Sequence, residues 1–152
     1  MRYLVPMAVL VLLTVAGVPA CASSLDSKIP NQQSIDALEA KASQAQPREQ
    51  CFLYAELVHQ MTELSLRQYA AGDVDAASAM LKHIQKFTHK IHLSVADDNK
   101  RLKNAEILLR HTAYRLNEML HAGNYEDRQL VEQTLAQVNQ AETEAMMQVF
   151  RK

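Results

Sequence analysis

An all-α fold is what this sequence predicts: long antiparallel helices packed as a bundle or as helical hairpins, with heptad-like seams. Three observations carry the prediction. Pro6, Pro19, Pro30 and Pro47 all precede residue 48, and beyond it the glycines are Gly72 and Gly123. Proline breaks helix interiors and glycine marks helix ends, so 48–152 should be nearly continuous helix interrupted at those two glycines. Apolar residues after Asp73 return in alternating steps of three and four, which is the helical period. With three glycines and four prolines in 152 residues, turns are too scarce for an all-β chain. A content of 48% apolar and 22% charged residues suits one globular domain.

The N-terminus reads as an export signal. Arg2 precedes an apolar run over Tyr3–Val18, followed by Pro19, Ala20, Cys21 and Ala22. A short positive region, an apolar stretch and small residues at the end form the layout of a secretory leader. Two cuts fit. One falls after Ala22, with Ala20 and Ala22 as the small pair. The other falls before Cys21, where Val18-Pro19-Ala20-Cys21 resembles a bacterial lipoprotein box and implies a lipidated Cys21. Proline within that box departs from the usual small residue. A third reading, an uncleaved anchor over Tyr3–Ala22, is opposed by Pro6, Gly17 and Pro19. The chain thus divides into a leader (1–22), a linker with a short helix (23–47) and a helical bundle domain (48–152). Its expected place is periplasmic or secreted, held at a membrane only if Cys21 carries lipid. Cys51 then stands alone in an oxidising compartment, as a small buried hydrophobe or as a thiol that pairs between chains.

The elements follow in order. Ser34 is the expected cap of a short helix carrying Ile35, Leu38 and Ala42. That helix has little apolar surface and should only dock or fray. Pro47 suits a first helical residue, so the next helix runs over about 48–71. Leu53, Leu57, Met61 and Leu64 make its stripe, with Tyr54, Val58 and Tyr69 alongside. Gly72 supplies a left-handed terminal residue and Asp73 a cap. Val74, Ala77, Leu81, Ile84, Thr88, Ile91 and Val95 then form a heptad seam. Leu102, Ala105, Leu109, Thr112, Leu116 and Met119 continue it in phase through Asp98. No glycine or proline separates the two runs, so the sequence favours a single helix spanning 74–121 over a turn at 97–99 capped by Asp97 or Asp98. Such a helix leaves Met80, Phe87, Leu108, Ala113 and Leu120 partly wet, and a symmetric dimer would cover them. Asn124 is the expected cap of the last helix, which begins near Tyr125. Its inward residues are Val131, Leu135, Val138, Ala145 and Val149, with Leu130, Met146 and Phe150 widening the stripe.

A faint repeat appears at an offset of about 50 residues. Ala55-Glu56-Leu57 echoes Ala105-Glu106-Ile107, and Thr62 and Leu66 match Thr112 and Leu116. Gly72-Asp73-Val74-Asp75-Ala76 and Gly123-Asn124-Tyr125-Glu126-Asp127 resemble the inter-helix turn of tetratricopeptide repeats. That spacing of about 50, where those repeats take 34, excludes true membership. The stretch from Asn99 to Arg110 resembles small exported all-helical bacterial proteins without an assigned activity. The resemblance implies an all-helical exported protein and brings no catalytic residue with it.

Chemistry has few candidates. Six histidines are present, and His89 and His92 lie three apart on one helical face. Together they are the candidate metal ligands, able to give zinc or copper two imidazoles. The stretch around them on the chain brings no cysteine or carboxylate to complete a site. Nucleophile elbows, H-E-x-x-H and phosphate-binding glycine loops are missing, so the chain reads as non-enzymatic, with no cofactor. A net charge of −1 argues against general nucleic-acid binding. Charge is nonetheless uneven. Lys82, Lys86, Lys90, Lys100, Arg101, Lys103, Arg110 and Arg115 face only Asp97, Asp98 and Glu106 within their stretch, while the last helix is acidic. Mutual neutralisation of these faces is the simplest expectation, and an acidic partner the sharper one. The functional expectation is an exported, non-enzymatic helical interaction or structural protein of the cell envelope, with a protein partner or homodimer. The alternative is a metal- or small-ligand-binding bundle using His89 and His92.

Overall fold

A computed structural model describes residues 29–95, 101–122 and 125–151. The expected leader with its two candidate cleavage points, Cys21, and the residues Asp97, Asp98, Gly123 and Asn124 lie outside them. Five helices are present among the described residues: α1 (Gln32–Gln44), α2 (Pro47–Ala70), α3 (Val74–Ser94), α4 (Leu102–Ala122) and α5 (Tyr125–Phe150). There is no strand among those residues. None of the helices is long and apolar enough to cross a membrane.

Local chemistry sets the ends. α1 is capped by Asn31, whose side chain accepts from the Ser34 amide at 2.8 Å, while Ser34 Oγ accepts from the Asn31 amide at 3.0 Å. Ser34 is therefore the third helical residue of a capping box and not the cap itself. Pro47 occupies the first turn of α2 as expected. Gly72 adopts φ +81 between α2 and α3, and Asp73 Oδ1 accepts from the Ala76 amide at 3.2 Å. α1 does more than fray. Ile35 and Ala42 are fully buried, Leu38 nearly so, and the helix packs along α2.

α2 to α5 form a closed square. α2 packs against α3 and α4, and α5 packs against the same two. α3 and α4 stand at opposite corners. Cross-helix contacts fix the directions. His59 meets Thr112 and Glu63 meets Arg115, so α2 and α4 are parallel. Ser78 meets Asp127, Gln85 meets Thr134 and His92 meets Glu144, so α3 and α5 are parallel as well. Two antiparallel hairpins, α2–α3 and α4–α5, thus lie side by side with equivalent helices adjacent. The repeat seen in the sequence maps onto this arrangement. Thr62 and Thr112 are both buried and each donates to the carbonyl four residues back.

The single helix over 74–121 is overturned. α3 ends at Ser94, and Arg101 adopts φ +66 immediately before α4. A non-glycine residue there costs roughly 1–2 kcal/mol. Its guanidinium lies 3.5 Å from the centroid of the Phe52 ring, a contact that offsets part of that cost. The unbroken heptad phase arose because both segments face one core, not because they share an axis. Closure also removes the apolar surplus that motivated a dimer. Met80 and Phe87 are buried, and Leu108, Ala113 and Leu120 pack against the core.

The core runs through all five helices. Leu57, Val58, Leu81, Ile84, Ile91, Leu109, Leu116 and Val138 are wholly buried. α2 is buried over more than one stripe, from Cys51 through Ala55 without a break, because α1, α3 and α4 cover different faces of it. In α5, Val131, Val138 and Ala145 are buried as expected, whereas Phe150 is 81% exposed at the helix end.

Candidate functional site

Two seams between parallel helices carry the polar side chains with the most chemistry. The α3–α5 seam holds the predicted pair. His89 and His92 lie on the exposed edge of α3, their rings stacked with centroids 6.2 Å apart and planes at 24°. Their spacing of three residues brings both to one side of the helix, so the structure does unite them. Oε2 of Glu144 on α5 is hydrogen-bonded to His92 Nδ1, and Oε1 accepts from Gln140 Nε2 at 3.1 Å. This carboxylate lies 52 residues along the chain from His92. No local sequence signal could have found it. The only clue was the acidity of the last helix.

In front of the imidazoles is an open cleft of about 350 Å³, lined by Gln85, Thr88, Gln137 and Gln140 beside the two histidines. A second hollow of about 330 Å³ continues past His92 toward Met147 and Arg151. Amide and imidazole groups line the first of these, which therefore offers hydrogen bonds and nitrogen lone pairs to whatever enters it. Among the described residues, no three His, Cys, Asp or Glu side chains are placed to hold a metal ion together.

The α2–α4 seam is built differently. Arg115 grips Glu63 as a fork, Nε to Oε1 at 2.6 Å and Nη2 to Oε2 at 3.1 Å, and pairs with Glu118 through Nη1. Hydrogen bonding from Arg115 holds the Glu63 carboxyl below its ordinary range and raises the guanidinium above its own. Thr112 Oγ1 donates to the Leu108 carbonyl at 2.8 Å and lies 3.2 Å from His59 Nδ1. With its own hydrogen committed, that hydroxyl accepts from Nδ1–H and so fixes the His59 tautomer. Burial pulls the His59 imidazole below its ordinary value, opposed by the Glu63 carboxylate. His111 approaches it edge-on at 6.4 Å.

Cys51 is fully buried near Ser94, and burial pushes its thiol up to about 11. A thiol of that kind is neutral at pH 7 and a poor nucleophile. It behaves as the small core hydrophobe among the two expectations, since a buried sulfur is not presented to a second chain. The uneven charge is partly neutralised inside the bundle. Arg110 pairs with Glu106 and lies 3.5 Å from Glu142, while Lys86 and Lys90 stand 5.0–5.4 Å from the Phe87 and Tyr54 ring centroids.

Comparison with protein-family models, curated proteins and solved structures finds no match. The functional reading therefore rests on the chain and its geometry.

Proposed function

We propose that this chain is an exported, non-enzymatic helical protein of the bacterial cell envelope, acting as an interaction or structural module through the outer face of its bundle. The observation that carries the reading is the leader-type segment over 1–22. Support comes from what stands behind it. The bundle closes on itself, so α3 and α5 are free to present their shared seam to a partner. Leu93 and Met147, 65% and 58% exposed, add apolar contact surface to those two helices. Cys51 is sheltered from an oxidising compartment by burial.

Full-length chain with a C-terminal tag, expressed in a Gram-negative host, tests the proposal by fractionation and intact mass. The expected product lacks residues 1–22 and leaves with the periplasmic fraction. A product beginning at a lipidated Cys21 and fractionating with membranes supports the anchored form of the same reading. A full-length mass in the cytosol overturns it.

A further inference from the structure

We infer that His89 and His92 form a chelating site for a borderline divalent transition metal, copper(II) foremost, with Glu144 as the residue that positions His92. The placement of these three side chains is independent of export.

An ionised carboxylate only accepts hydrogen bonds. Glu144 Oε2 therefore accepts a hydrogen bond from Nδ1–H of His92, which leaves Nε2 as the ring nitrogen available to a metal ion. Gln140 donates to the other carboxylate oxygen, so both Glu144 oxygens help to hold the carboxylate in place behind the ring. A carboxylate behind an imidazole is the usual support of a metal-bound histidine. His89 is one turn away on the same helix edge. Two imidazoles on one ion, with metal–nitrogen bonds of about 2.0–2.1 Å, place ring centroids about 5 Å apart. The observed 6.2 Å closes by a small rotamer change of the exposed His89, with His92 kept in place by Glu144. The cleft of about 350 Å³ in front leaves room for the waters that complete the shell, with Gln137 and Gln140 to hydrogen-bond them. Two protein ligands without a thiolate select imidazole-preferring ions, and copper(II) binds such sets more tightly than zinc. The other histidine pair lacks these features: His59 is half-buried, and its Nδ1 is backed by the Thr112 hydroxyl where His92 has a carboxylate.

Copper(II) chloride titrated into the purified full-length chain, read by calorimetry and by electron paramagnetic resonance, tests the site. One saturable ion per chain is expected, with hyperfine coupling to two imidazole nitrogens. His89→Ala and His92→Ala should each weaken binding at least tenfold. Glu144→Gln should weaken it 10–100-fold while the two-nitrogen pattern persists at saturation, and Glu144→Asp should recover part of the loss. His121→Ala, a distant exposed control, should bind like the wild type. Both histidines are exposed, so circular dichroism should show every variant folded. Wild-type affinity in His89→Ala and His92→Ala, or a spectrum without imidazole coupling, overturns the site. Wild-type affinity in Glu144→Gln overturns the positioning role.

Discussion

Along the α2–α4 seam, Arg115 closes on Glu63 and Glu118, and His59 closes on Thr112. Along the α3–α5 seam, Glu144 meets His92, but His89 and Gln137 face an open cleft. Both seams join parallel helices of equivalent hairpins, so architecture does not explain the contrast. Side-chain reach and partner supply do. In the first seam polar groups spend their hydrogen-bonding capacity on one another, which contributes to holding the hairpins together. In the second they keep part of it unspent, which contributes little to stability and leaves lone pairs for a ligand.

The largest expected effect lies beneath both seams and should not distinguish them. Leu81, Ile84, Leu109 and Leu116 are wholly buried. Each changed to Ala should cost about 2–5 kcal/mol in chemical denaturation. Losses below about half a kcal/mol in one hairpin only would show that the two are not equally packed.

The next effect separates the seams. Arg115→Met removes the fork to Glu63 and the pair to Glu118, and should cost about 1 kcal/mol because the arginine is itself partly exposed. Gln137→Ala, on the open cleft, should stay within about 0.5 kcal/mol. Urea midpoints of the two variants compare them directly, and equal losses would break the contrast.

The smallest effect is a pH slope confined to the first seam. Burial lowers the His59 pKa from 6.5, so the unfolded chain takes up the proton first as pH falls. Stability should then decline with pH from 6.5 down to the folded value. Glu63 acts lower on the scale. Its carboxyl is held down chiefly by the Arg115 hydrogen bond, so its contribution is complete above the unfolded carboxylate range and is lost as pH falls through the folded value. His59→Gln should flatten the slope between pH 5 and 7 in urea midpoints, and an unchanged slope would place its origin elsewhere.

Several features were legible before any coordinates. Pro47, Gly72 and Asp73 occupy the roles their chemistry assigns, because proline, glycine and a capping carboxylate act through neighbouring backbone atoms. The seams of α3 and α4 are buried as their period required, except at their first residues, where Val74 is exposed and Leu102 half-buried. The cap of α1 was misplaced, since Asn31 and Ser34 both carry cap chemistry and only their reciprocal bonds tell them apart. Of the candidate metal site, His89 and His92 could be paired from spacing alone. Glu144 could not, because it arrives on α5.

What the sequence determined by itself was helix: where most helices begin and end, and which face of each is apolar. These follow from interactions within a few residues. The tertiary structure alone decided that 74–121 folds back as two helices, that equivalent helices run parallel, and that Arg115 faces Glu63 while Glu144 faces His92. Heptad phase is the same for a straight helix and for two helices sharing a core, so period carries no information about the bend. The bend is favoured because closing four helices buries Met80 and Phe87 against their neighbours, a gain in apolar burial that exists only once distant segments meet.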